Sequence, residues 1–190
     1  MTKQLGFHID QQSCIGCFTC QIACKDKNGL EAGEYWREVH EFTGGSSEEQ
    51  NGVIRSNVYA YWLSMACNHC ERPKCAANCP TGAMHKREED GIVLVDQEKC
   101  IGCGMCVWSC PYGAPQLINK TSSKCNFCID LLEEGKQPAC VGACFMRALD
   151  YGPIDELKAK YGALADVKGL PSSSVTGPSV TITPHKDSIK

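Results

Sequence analysis

Sixteen cysteines among 190 residues are the side chains best able to do chemistry here, and their spacing narrows what that chemistry is. They fall into four runs: Cys14, Cys17, Cys20 and Cys24; Cys67, Cys70, Cys75 and Cys79; Cys100, Cys103, Cys106 and Cys110; Cys125, Cys128, Cys140 and Cys144. The first and third are CxxCxxCxxxC, the second opens one gap to four residues, and the fourth opens it to eleven. Three thiolates on one tight loop can reach three irons on one face of a cubane cluster, leaving backbone N–H groups free to point at the sulfides. The fourth iron faces away and needs a thiolate from elsewhere. A zinc ion wants only four ligands, usually as two separated CxxC pairs, which leaves zinc open for the fourth run but does not explain the triplets. Disulfides require no triplets either, and residues 1–7 show no basic stretch followed by an apolar segment and cleavage site, so no export signal is expected. All sixteen thiolates are therefore expected to hold four [4Fe–4S] clusters.

In two-cluster ferredoxins the last cysteine of each run ligates the neighbouring cluster, so runs work in pairs. An internal repeat indicates which runs pair. Gly6-Phe7-His8-Ile9-Asp10 precedes the first run and Ile92-Val93-Leu94-Val95-Asp96 precedes the third, each leading as a short strand into CIGC. Matching partner strands follow the second run, at Thr81-Gly82-Ala83-Met84-His85, and the fourth, at Arg147-Ala148-Leu149-Asp150-Tyr151. Asp90-Gly91 marks a hairpin turn between the second and third runs. The expected ligand sets are then Cys14, Cys17, Cys20 with Cys144; Cys125, Cys128, Cys140 with Cys24; Cys67, Cys70, Cys75 with Cys110; and Cys100, Cys103, Cys106 with Cys79.

This pairing predicts an α+β fold of two nested ferredoxin-like units. Residues 67–115 make the inner one, and 1–30 with 116–160 make the outer one. Between them, 31–66 is an inserted loop and strand region, with a buried strand at 58–63. Residues 126–134 and 154–161 read as helices, the first closed by Gly135, the second opened by Asp155 and Glu156. Beyond Gly169 the chain is rich in Ser, Thr and Pro, and 161–190 is expected to lie as an extended tail across a partner.

Composition agrees with clusters as core material. Aromatic residues make up only 7% of the chain, so large side chains alone fill little interior. A formal net charge of −3 points away from nucleic acid or a membrane surface as the main partner. The longest apolar stretch, 58–67, is broken by Ser64 and is too short to span a bilayer. Four clusters would carry the holo chain to roughly −11, a charge that cations such as Lys25, Lys74, Lys99 or Lys124 are placed to offset. His69, inside CNHC, reads as a supporting or packing residue because its run already has four cysteines. His8, His40, His85 and His185 lack metal-binding spacing, and Trp36, Trp62 and Trp108 read as packing that shields clusters. No phosphate-binding glycine loop or nucleophile triad is apparent.

The order of the four runs, with CNHCERPKCAANCPTGAMHKREEDG from Cys67, CPYGAPQ from Cys110 and RALDYGPIDEL from Arg147, resembles the iron–sulfur subunits of anaerobic dimethyl sulfoxide reductases over nearly the whole chain. The resemblance implies an electron-transfer subunit with no catalytic centre of its own. Its clusters would stand between a molybdopterin catalytic subunit and an integral membrane, quinol-oxidising anchor subunit, on the outer (periplasmic) face of the cytoplasmic membrane. Polysulfide or tetrathionate reductases and formate dehydrogenases use related subunits, and a zinc-binding or redox-sensing protein is the alternative of a different class. Some relatives replace one cysteine of the third run by Trp and hold a [3Fe–4S] cluster. Here Cys103 and Cys106 are present and Trp108 lies outside the ligand positions, which implies four [4Fe–4S] clusters.

Overall fold

The structure, a computed structural model, describes residues 3–189. Gly6, Phe7, His8 and Ile9 are consecutive and buried in β1 (Leu5–Asp10), so this strand must be covered on both faces. The first run leads into α1 (Thr19–Lys27). The inserted region is a ribbon: β2 (Arg37–Gly44) and β5 (Tyr59–Ala66) pair antiparallel along their whole length, and β3 (Ser47–Gln50) and β4 (Val53–Ser56) continue as an exposed hairpin. The apolar pattern predicts only one buried strand there, near 58–63. Its partner β2 is polar on one side, with Glu38, His40 and Glu41 exposed, and so shows little apolar periodicity.

Short elements carry the other runs. The second leads through α2 (Lys74–Ala77) to β6 (Met84–Lys86), which pairs antiparallel with β7 (Val93–Val95). The third passes through α3 (Met105–Ser109) to the hairpin of β8 (Gln116–Ile118) and β9 (Thr121–Ser123). The eleven-residue gap of the fourth run holds α4 (Ile129–Glu133), shorter than the span expected from sequence. It is followed by α5 (Ala139–Gly142), β10 (Leu149–Pro153) and α6 (Ile154–Tyr161).

The C-terminal segment departs from expectation. Residues 180–183 form β11 (Val180–Thr183), which pairs parallel with β1 on the side opposite β10 and gives the order β10-β1-β11. Val180, Thr181 and Ile182 are buried. Just before them, the carbonyls of Thr176 and Gly177 accept from the N–H groups of Arg72 and Glu71, and Ser179 Oγ donates to His69 O at 2.9 Å. The tail is thus a strap across the second run and the central sheet. Ser and Thr suit it because their hydroxyls satisfy polar groups that the strap buries. His8 Nδ1 lies 2.9 Å from Thr181 Oγ1, and the His8 ring stacks on Tyr161 with 3.6 Å between centroids.

Two cores result. The larger gathers Phe7, Ile9, Leu63, Phe127, Leu149, Val180 and Ile182 around Cys20, Cys140 and Cys144. The smaller packs Met84 and Val93 against Cys75 and Cys106.

Candidate metal centres

Each run begins with the same local backbone device. The residue just before the second cysteine has positive φ in all four: Gly16 (+67°), His69 (+42°), Gly102 (+68°) and Phe127 (+63°). This left-handed step curls the CxxC loop so that its thiols converge. Glycine takes the step freely, and at Gly16 and Gly102 a Cβ would also strike Trp62 or Lys120 O, both within 2.3 Å. His69 and Phe127 take it under strain of about 1–3 kcal/mol each. Both are completely buried (0% exposed), with ring centroids 5.1 Å apart in an edge-to-face contact, and Phe127 stacks on Phe7 at 4.2 Å. Their packing, where the inner runs meet the outer, holds the strained backbone.

The loops bring the sixteen thiols into four neighbourhoods. Cys79, Cys100, Cys103 and Cys106 line one pocket, together with Ile101, Met105 and Leu117. Cys14 lies among Cys17, Cys20 and Cys144. Cys70 and Cys75 face Cys67 and Cys110. Cys24 lies beside Cys140 and Cys128, and Cys125 beside Cys24 and Cys140. The last cysteine of one run thus lies near thiols of another, and proximities also cross between the groups, Cys125 lying near Cys67 and Cys20 near Cys140. All sixteen thiols are free of disulfides. Among the described residues no three His, Cys, Asp or Glu side chains come close enough to share a single metal ion. A mononuclear zinc site would need sulfurs about 2.3 Å from one centre, whereas a cubane spreads its four thiolates around four irons.

Hydroxyl and N–H groups line these sites. Ser64 Oγ is 3.3 Å from Cys20 Sγ, and Ser122 Oγ is 3.3 Å from Cys106 Sγ, at the same place in the first and third runs. Backbone N–H groups of Met84, Ser122 and Phe127 donate to Cys79, Cys100 and Cys125 at 3.3, 3.3 and 3.4 Å. Burial pushes the Cys24 and Cys75 thiols up to about 12 and Cys70 to about 11, with neighbouring thiols adding to it. Such thiols give up their protons only to a strong electrophile, which iron is. Cys17, by contrast, is held below the usual thiol range by the Thr19 hydroxyl.

Three buried nitrogen donors beside the runs have no protein acceptor among the described residues: Arg37 Nε, Asn68 Nδ2 and His69 Nε2. His69 Nδ1 accepts from the Val93 N–H at 3.0 Å, which leaves its proton on Nε2. Burial, reinforced by Lys124, Arg37 and Lys86, pulls the His69 imidazole well below its usual range and keeps it neutral. Orphan donors next to clustered thiols suit an anionic, sulfur-rich occupant, so the residues present fit an iron–sulfur cluster.

Of the lysines singled out in the sequence, Lys124 is buried, its ammonium donating to Val93 O and to Cys125 O, while Lys74 and Lys99 are exposed. Trp62 covers Gly16 and donates to Glu41 Oε2 at 3.1 Å, and Trp36 donates to Ser123 Oγ at 2.7 Å. Trp108 does not shield a cluster from within. It is 87% exposed and lies in an apolar rim with Ile101, Met105 and Leu117. Ile15, Phe18 and Ile22 of the first run, and Phe145 next to Cys144 in sequence, are also exposed apolar side chains. Arg37 gives no sign of itself in the sequence, because a lone arginine in a polar stretch has no periodic signal.

Comparison with known proteins gives these sites a context. Residues 58–154 match a family model described as a 4Fe–4S dicluster domain, a span that holds the second, third and fourth runs. The B subunit of the anaerobic dimethyl sulfoxide reductase of Escherichia coli K12 is 52% identical over 99% of this chain and 92% of its own length. Its counterpart from Haemophilus influenzae is 44% identical over 97% of this chain and 91% of its own. The B subunit of the polysulfide reductase of Wolinella succinogenes is 35% identical over 98% and 97% respectively. With such identity along nearly its full length, the protein belongs to the iron–sulfur B subunits of the anaerobic dimethyl sulfoxide reductase family, electron-carrying components of reductase complexes with no catalytic centre of their own.

Proposed function

We propose that this chain carries four [4Fe–4S] clusters and conducts electrons from an integral membrane, quinol-oxidising subunit to a molybdopterin subunit that reduces dimethyl sulfoxide or a related S- or N-oxide. The observation that carries the reading is the approach of the last cysteine of one run to thiols of another, as of Cys79 to Cys100, Cys103 and Cys106 and of Cys144 to Cys14, among sixteen cysteines free of disulfides. The ligands would be Cys14, Cys17, Cys20 and Cys144; Cys24, Cys125, Cys128 and Cys140; Cys67, Cys70, Cys75 and Cys110; and Cys79, Cys100, Cys103 and Cys106. When bound, the clusters supply one-electron redox chemistry. The chain's own residues hold them at fixed separations, donate hydrogen bonds to their sulfurs and limit the access of water. The division into an inner unit, 67–115, and an outer unit, 1–30 with 116–160, follows from the same exchange of cysteines.

Two sets of exposed apolar side chains support two partners. One surrounds the Cys79, Cys100, Cys103, Cys106 pocket and the other belongs to the first run, so a site near each can exchange electrons with a docked subunit. Among the described residues no helix is long and apolar enough to cross a membrane. Attachment to the membrane, on its periplasmic face, would therefore come through the anchor subunit. Metal and sulfide analysis of the purified complex tests the reading. About sixteen iron and sixteen acid-labile sulfide per chain are expected, and zinc near four with no sulfide would overturn it.

A further inference from the structure

Arg37 opens β2 and is 2% exposed, a guanidinium removed from water. A buried charge is costly unless paired and hydrogen-bonded. The ion pairs among the described residues give Arg37 no carboxylate. Its Nη1 donates to Ser64 O at 3.0 Å and to Ser64 Oγ at 3.1 Å, its Cζ lies 4.8 Å from the centre of the Phe7 ring, and its Nε has no partner. These neutral contacts fix the group without balancing its charge. With clusters bound, the anionic groups acting on it would be the thiolates of Cys20 in the first-run neighbourhood and of Cys24, Cys125 and Cys140 in the adjoining one. A guanidinium keeps its proton even when buried, so the charge is permanent.

We propose that Arg37 is the shared counter-cation of the two outer cluster sites, a positioning residue that raises the reduction potentials of both together. It rests on the four-cluster reading above. Adding one electron takes a four-thiolate site from roughly −2 to roughly −3, and a fixed cation between two such sites favours the more negative state of each. The electron comes from the reduced neighbour along the chain and leaves to the next carrier. Arg37 keeps its proton throughout, so no proton need move with it. Ser64 extends the effect on one side. Its Oγ accepts from Arg37, which leaves the hydroxyl hydrogen free to donate to Cys20 Sγ, 3.3 Å away. Lys124 donates to Cys125 O but acts on Cys75 of the inner unit, and Lys27 acts on Cys128 alone, whereas Arg37 acts on Cys20 and Cys24, one in each outer set.

The test is a potentiometric titration followed by electron paramagnetic resonance on the intact complex, comparing wild type, R37Q and R37K. In R37Q two of the four midpoints should fall by the equivalent of a tenfold or greater change in the reduction equilibrium, about 59 mV for one electron. The other two should hold, and R37K should recover most of the loss. Unmoved midpoints in R37Q, an equal shift of all four, or R37K matching R37Q would overturn the proposal while leaving the four-cluster reading intact. Fewer than four cluster signals in wild type would overturn that reading first. If R37Q loses iron, loss confined to two clusters and restored in R37K supports the proposal. Loss of all four, or loss in R37K as well, counts against it.

Discussion

A hydroxyl beside a cluster thiolate is a small, separable lever. Ser64 reaches Cys20 and Ser122 reaches Cys106, one in each half of the repeat. Removing an O–H donor to a charged sulfur disfavours the reduced, more negative state. Ser64→Ala should therefore lower the potential of the Cys20 site alone, by an amount on the order of 59 mV or less. Potentiometric titration of the variant decides, and a Ser64→Ala shift in the Cys106 site would refute the assignment. At this scale the sequence is legible where chemistry sets spacing. Gly16 and Gly102 declare their left-handed turns by being glycine, whereas His69 and Phe127 adopt the same turn because burial holds them there. That reason lies in packing and leaves no local sign.

Among the elements, strands next to cysteine runs are readable from their apolar residues: β1 and β10 pair, as do β6 and β7. β2 and β11 are not, since β2 exposes Glu38, His40 and Glu41 and β11 follows a stretch of Ser, Thr and Pro. Tertiary pairing overrides weak local preference in both. The attachment of β11 has a pH dependence. Burial lowers the His8 imidazole from its ordinary value near 6.5, against the opposing pull of Asp10 and Asp150 and with help from Lys160. A base whose folded-state pKa is depressed binds protons more readily when unfolded, so stability is present above about 6.5 and falls as pH drops through it. Amide hydrogen exchange at Thr181 and Ile182 should quicken as pH falls from 7 to 5.5, after correction for intrinsic exchange, and His8→Gln should flatten that dependence. Equal dependence in wild type and His8→Gln would exclude His8 as the cause.

For the whole molecule, the two sets of exposed apolar side chains are the features most open to test. Trp108 and Ile22 stand at corresponding places in the third and first runs, each exposed, each outside the cysteine ligand positions. Trp108→Asp and Ile22→Asp should leave iron content unchanged and reduce turnover of the complete complex at least tenfold, a loss of about 1.4 kcal/mol or more of docking free energy. They should do so in different half-reactions. One should slow reduction of the clusters by quinol, and the other should slow their reoxidation by the S- or N-oxide. If both impaired the same half-reaction, or neither did, these side chains would not mark the two docking faces.

The strap also fixes an order of assembly. On the proposed ligand sets, residues 67–110 would hold two complete sets of four thiols with the β6–β7 hairpin, so the inner unit would be whole once that stretch had left the ribosome. Cys14, Cys17 and Cys20 wait for Cys144, and β1 waits further, until residues 180–183 arrive to close its second edge. Contacts that distant in sequence form late. Construction would then proceed from the inside outward, and β11, the last strand among the described residues, would seal the edge of the first.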